Sequence, residues 1–72
     1  MKPGDVRVDA AKLTRFREEQ VLSQRELARM AGVTHATVWR LENGFDRARP
    51  LTVRKLAEAL GVEPKELILR EE

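Results

Sequence analysis

Apolar residues recur along this chain in blocks at three- and four-residue spacing, and each block is bounded by residues that start or stop helices. Asp9 is placed to cap a first helix, whose Ala10, Leu13, Phe16 and Gln20 fall along one side, with Leu13 and Phe16 expected in the core. Ser23 with Glu26 three residues later forms a capping box, and Leu22 with Leu27 has the spacing of a hydrophobic staple. Gly32 supplies a left-handed stop, so the spacing predicts a second helix over Gln24–Ala31. Only Val33 separates that stop from Thr34, a second capping oxygen. Val33 and Val38 repeat the staple, and a third helix runs to Asn43–Gly44. Pro50 suits the first turn of a fourth helix, with Val53, Leu56, Ala57 and Leu60 on one face and Gly61 as its stop. Pro64 can open a short fifth helix ending near Leu69, although Glu63 stands where serine or threonine would cap better. Residues 1–8, with Pro3, Gly4 and alternating Val6 and Val8, are too few to build a sheet and read as a flexible arm before a domain spanning 9–72.

Two helices joined by so short a turn cannot lie antiparallel over their length. A steep crossing is the helix-turn-helix solution. Leu27, Ala31, Val33, Val38 and Leu41 can then turn onto one small core, and Ala28 is small where the second helix approaches. Together, L-S-Q-R-E-L-A before the turn, L-E-N-G after it and L-A-E-A-L-G-V downstream resemble the Cro and phage-repressor class of proteins, the XRE family, over roughly residues 12–69. The resemblance implies an all-α fold, a compact five-helix bundle of the lambda-repressor-like DNA-binding type with helices two and three as the helix-turn-helix. One position departs from it. The glycine that commonly closes the first helix in that family is here Val21, and a β-branched residue is a poor occupant of left-handed backbone. The exit from helix one therefore either takes another geometry or holds strain.

Composition narrows the function classes. Seventy-two residues make one domain near the small end of what folds without metal or disulfide. The absence of cysteine excludes disulfides and thiolate metal sites and fits a reducing compartment. No run is apolar enough for a membrane span or a secretory leader, so a soluble, cytoplasmic protein is expected. The net charge of +2 is small, but residues 1–62 hold twelve Lys/Arg against eight Asp/Glu, whereas residues 63–72 hold two against four. A basic body and an acidic tail result. The lone histidine has no partner for a metal site, and no acid–base pair, nucleophile arrangement or phosphate loop is present. An enzyme is the weakest class, and no cofactor or small-molecule ligand is expected.

On a helical wheel of the third helix, Thr34, Val38, Leu41 and Glu42 point coreward. Ala36, Arg40 and Asn43 point outward, with His35 and Trp39 on one flank and Thr37 on the other. A guanidinium fork matches guanine O6 and N7, and a small apolar side chain fits a thymine methyl, which makes Arg40 and Ala36 candidate base contacts. The resemblance implies base reading by His35, Ala36 and Arg40, with Thr37 assisting. His35 at the helix start can equally do no more than meet solvent. Trp39 is left between a DNA sugar-phosphate edge and packing over Phe45, with packing preferred because a bare aromatic is costly.

Phosphate contacts are a separate set. Gln24 opens the second helix, where free N–H groups and the positive dipole end favour an anion, and the resembled family uses this glutamine so. Asn43, Arg47 and Arg49 are further candidates, since such contacts set affinity and salt dependence but not sequence. Lys2 and Arg7 could reach phosphates as a basic arm does, but Asp5 and Asp9 accompany them and argue against it. In the family, the positions of Arg17 and Glu42 form a partly buried ion pair between helices one and three, and the coreward placement of Glu42 supports that pairing independently.

The reading that results is a sequence-specific regulator of transcription, a repressor, that inserts its third helix in the major groove of double-stranded DNA. A homodimer on an inverted repeat is expected, with Val62, Leu67, Ile68 and Leu69 as the apolar residues available for core and interface. The alternative is a protein-interaction module, an antitoxin or adaptor on the same fold, for which affinity would lack a phosphate-driven salt slope.

Overall fold

The computed structural model describes residues 4–69. In chain order they form a short strand β1 (Val6–Arg7), helices α1 (Ala10–Glu19), α2 (Gln24–Ala31) and α3 (His35–Glu42), a second strand β2 (Arg47–Ala48), helix α4 (Pro50–Leu60) and a single 3-10 turn, Pro64–Leu67. No described helix is long and apolar enough to cross a membrane.

Local side-chain chemistry sets most of the helix ends. The Asp9 carboxylate accepts from the Lys12 N–H at 3.2 Å. The Ser23 hydroxyl accepts from Glu26 N–H at 3.0 Å while the Glu26 carboxylate accepts from Ser23 N–H at 2.8 Å, which completes the capping box. Hydrogen bonding to that carboxyl from the Ser23 backbone N–H, and less from the Ser23 side chain, holds it below its ordinary range. Thr34 caps α3 through Thr37 N–H at 3.1 Å. Gly32 and Gly61 close α2 and α4 with φ of 73° and 72°, so each N–H can turn back onto carbonyls of the last turn. Gln20, at the end of α1, donates its side-chain amide to the Leu60 carbonyl and so satisfies an acceptor left open at the end of α4.

The core lies where the helices meet: Leu13 from α1, Leu27, Ala28 and Ala31 from α2, Val38 and Leu41 from α3, and Val53, Leu56, Ala57 and Leu60 from α4. Phe16, Leu22 and Val33 pack against it partly buried. Each fully buried leucine contributes roughly 1.5–3 kcal/mol relative to an exposed one. The apolar faces of α2 and α3 converge because the turn between them is only three residues long, which fixes the steep crossing.

Three expectations are corrected. The segment after Gly61 is not a fifth helix: it stops after one 3-10 turn because Ile68 goes extended and bridges antiparallel to Val8. The structure thus has four α-helices and a two-stranded sheet among the described residues. Leu67 is fully buried and belongs to the core, so it offers nothing to a partner; Val62, Ile68 and Leu69 are half-buried. The expected flexible arm is, over residues 4–8, part of the fold. β1 pairs antiparallel with β2, Val6 opposite Ala48 and Arg7 opposite Arg47, and Val8 is buried in the core. Residues 1–3 lie outside the described residues.

Val21 settles the alternative left open at the end of α1. Its φ is 57°, left-handed, and its side chain is 87% exposed. The strain is held, and no packing compensates for it at that residue. A left-handed non-glycine residue costs about 1–2 kcal/mol, partly offset by the greater unfolded freedom of glycine. Val21→Gly is therefore expected to stabilise the chain by about 0.5–1 kcal/mol in thermal or urea unfolding, and a lowered midpoint would show that the valine is favoured there.

Candidate nucleic-acid interface

The cap at Thr34 and the core residues Val38 and Leu41 set the rotation of α3. Val38 and Leu41 are buried, which leaves Ala36, Arg40 and Asn43 exposed along the outer strip and His35 and Thr37 half-buried beside it. The four residues expected to read bases, His35, Ala36, Thr37 and Arg40, are thereby on one accessible face of one helix. Thr37 shares a hydroxyl–hydroxyl hydrogen bond of 2.9 Å with Thr34, so its side chain also serves the cap.

Behind that face lies an ion pair between α1 and α3. Arg17 Nε donates to Glu42 Oε2 at 2.7 Å and Arg17 Nη2 to Glu42 Oε1 at 2.9 Å, the fork-to-fork geometry in which a guanidinium and a carboxylate match best. Arg17 Nη1 reaches the Leu22 carbonyl at 2.7 Å and so also holds the loop before α2. The side chains of Arg17 and Glu42 are 13% and 4% exposed. Burial pushes the Glu42 carboxyl up, but the hydrogen bonds from Arg17 and Gln24 outweigh it and hold the group below its ordinary range.

The third bond to Glu42 was not expected. Gln24 Nε2 donates to Glu42 Oε1 at 3.0 Å, and Gln24 Oε1 lies 3.2 Å from His35 Nε2. An ionised carboxylate can only accept, so it fixes which end of the Gln24 amide faces it. The carbonyl end then faces His35 and can only accept, so His35 Nε2 is the donor in that contact. The pair Arg17–Glu42 thereby reaches the first residue of α3 through one glutamine. Gln24 keeps a second amide hydrogen and its place at the start of α2 for an anion. In sequence, the signal was that Gln24 opens one helix and His35 the next across a three-residue turn.

The remaining phosphate candidates lie beyond the end of α3. Asn43 donates Nδ2 to the Trp39 carbonyl at 2.7 Å, so its amide helps close α3 as well as facing outward. Arg47 stands on β2 and Arg49 immediately precedes α4, both exposed. With Arg40, Thr37, Phe45, Thr52 and the acidic Asp5, these two arginines line one open groove of about 460 Å³, so three arginines from α3 and the following loop share a surface with one carboxylate. Trp39 stacks on Phe45 with ring centroids 6.3 Å apart and an interplanar angle of 24°. The two nevertheless stay 47% and 61% exposed, so the stack is a surface feature and not an extension of the core. Among the described residues, no group of three His, Cys, Asp or Glu could hold a metal ion.

The Glu42 environment sets a pH dependence. Its carboxyl is lower in the folded than in the unfolded chain, so the unfolded state binds the proton more readily. The stabilisation is complete above the ordinary value near 4.5 and is lost as pH falls through the lower folded value. Removing one partner of a buried pair costs about 3–5 kcal/mol. Glu42→Ala is expected to lose that much in urea unfolding at pH 7, with the gap to wild type narrowing as pH falls below 4.5. A gap that stayed constant from pH 7 to pH 3 would exclude an ionised, paired Glu42.

Comparison with known proteins agrees with this geometry. Residues 13–67 match the HTH_3 family, described as helix-turn-helix. Among solved structures, the restriction-modification controller protein C.AhdI from Aeromonas hydrophila is 33% identical, with a TM-score of 0.75 over 79% of this chain and 86% of its own. The N-terminal DNA-binding domain of SinR from Bacillus subtilis is 25% identical, with a TM-score of 0.78 over 88% of this chain and 91% of its own. A hydroxyethylphosphonate dioxygenase is similar over 92% of this chain, at 29% identity and a TM-score of 0.80, but this chain spans only 14% of that enzyme's length. Among curated protein sequences none matches. With more than half of its residues in the family match and a controller protein related over most of both lengths, the chain belongs to the HTH_3 family of XRE-type helix-turn-helix proteins.

Proposed function

We propose that this chain acts in the cytoplasm as a sequence-specific repressor, placing α3 in the major groove of double-stranded DNA as one half of a homodimer on an inverted repeat. The observation that carries the reading is the shared surface of the outer strip of α3 with Arg47 and Arg49: side chains able to read bases stand beside guanidiniums able to grip phosphates. Arg40 is the base-reading arginine, exposed in the last turn of α3 with its fork available for guanine O6 and N7. Ala36 is small enough to meet a thymine methyl, His35 offers a ring nitrogen, and Thr37 assists. Gln24, Asn43, Arg47 and Arg49 hold the backbone.

A dimer follows from reach, because a single recognition helix covers few base pairs and two half-sites about one helical turn apart double the information. The half-buried Val62, Ile68 and Leu69 are the apolar residues left for that interface once Leu67 is assigned to the core. The relatives support this reading of function, since one is a controller protein of a restriction-modification system and another a DNA-binding domain.

Two measurements test it. Selection of bound duplexes from a random pool should return a symmetric site, and Arg40→Ala should lose about 1–3 kcal/mol at one base pair per half-site while leaving binding to random duplex nearly unchanged. A loss spread evenly over all single-base variants of the site would move Arg40 to the phosphate-gripping set. Arg49→Ala is expected to weaken every duplex alike and to lower the slope of log affinity against log salt by about one unit. An adaptor that uses this fold to bind a protein would show no such slope.

A further inference from the structure

The strand β1 lies outside residues 13–67, the part of the chain that the family match covers, yet it touches the loop that carries Arg47 and Arg49. Val8 N–H donates to the Asp46 carbonyl at 2.7 Å, and Arg7 Nε donates to Asp46 Oδ2 at 3.0 Å. The opposite edge of the same segment is anchored: Leu69 N–H donates to the Arg7 carbonyl at 2.9 Å, Asp9 N–H to the Leu67 carbonyl at 2.7 Å, and Val8 is buried in the core. The loop between α3 and α4 is therefore tied to a fixed strand at two consecutive residues of β2, at the Asp46 backbone and at the Asp46 side chain.

We propose that Asp46, held by Arg7, is a positioning residue for DNA binding: it fixes the loop so that Arg47 and Arg49 meet the phosphates in register with α3. This rests on the DNA-binding reading above. Its physical content is preorganisation. A loop free to move must lose conformational freedom when it grips the backbone, whereas a loop held by β1 has lost that freedom in folding. The side chain that does this carries the wrong charge for the task. A carboxylate beside a phosphate-gripping loop repels DNA, so electrostatics alone says that removing it should strengthen binding. Positioning says the opposite, and the sign of the effect separates the two.

The experiment measures affinity and salt slope for the duplex that the wild-type chain selects from a random pool, well below the melting temperature of every variant. Asp46→Asn is expected to bind that duplex about three- to tenfold more weakly although it has lost a negative charge. In a background carrying both Arg47→Ala and Arg49→Ala the same change should cost less than twofold, because the groups being positioned have gone. The charge-swapped pair Arg7→Asp with Asp46→Arg keeps the net charge and is expected to return to within about threefold of wild type. Equal or tighter binding by Asp46→Asn overturns the proposal, and so does a loss of the same size with and without the two arginines, which would mark a merely structural residue. Should Asp46→Asn not fold, the swapped pair decides: binding more than tenfold below wild type overturns the proposal. A wild-type chain that binds no duplex brings down the DNA reading itself, whereas a wild type that binds beside an equally tight Asp46→Asn brings down only this inference.

Discussion

A guanidinium and a carboxylate with almost no water around them meet between α1 and α3, and the arrangement of the start of α2 and α3 depends on that meeting. Arg17 holds Glu42 through two bonds and the Leu22 carbonyl through a third, so it fixes α1, α3 and the approach to α2 at once. Buried pairs of this kind are weak evidence of stability, because desolvation consumes most of the attraction. Their use here is orientation. An apolar pair of the same volume would fill the space but would give the Gln24 amide no charge to turn toward, and His35 no partner of defined polarity.

Much of this architecture was legible because it is written in local chemistry. Ser23 and Glu26, Thr34, Asp9 and Gly32 each act within four residues of where they stand, and the helix boundaries fall where those residues put them. The core positions were legible for the same reason, since Leu27, Val38, Leu41, Val53 and Leu56 follow from helical spacing once the boundaries are known. The pairing of Arg17 with Glu42 needed the family resemblance as well, although the coreward direction of Glu42 could be read from its turn of helix.

The rest was hidden because its partners are far away in sequence. Two valines in a short alternating segment carry no mark that Val8 will enter the core or that Arg7 will face Arg47 across a ladder. Residues 64–69 have the composition of a helix, and only the bridge from Ile68 to Val8 explains why the helix stops at Leu67. The same bridge explains why Leu67, which looked available for a partner, is enclosed. Gln24 is legible as the residue that opens α2, but its bond to Glu42 spans two helices and no spacing rule announces it. Asp46 was passed over altogether, as an acid in a loop expected to matter only for its arginines.

The antiparallel ties of β1 also bear on the order in which the molecule can be completed. Helices α2 and α3 close on each other across a three-residue turn, a contact of short sequence range that a chain can form early. The strand at residues 6 and 7 is synthesised before its partners and has none until residue 48 exists, and its second edge waits for residue 68. A ribosome-bound fragment ending soon after α3 can therefore hold a formed α3 while the loop that follows it still lacks its strand. The order of that loop then depends on pairings that close across about forty and sixty residues of chain.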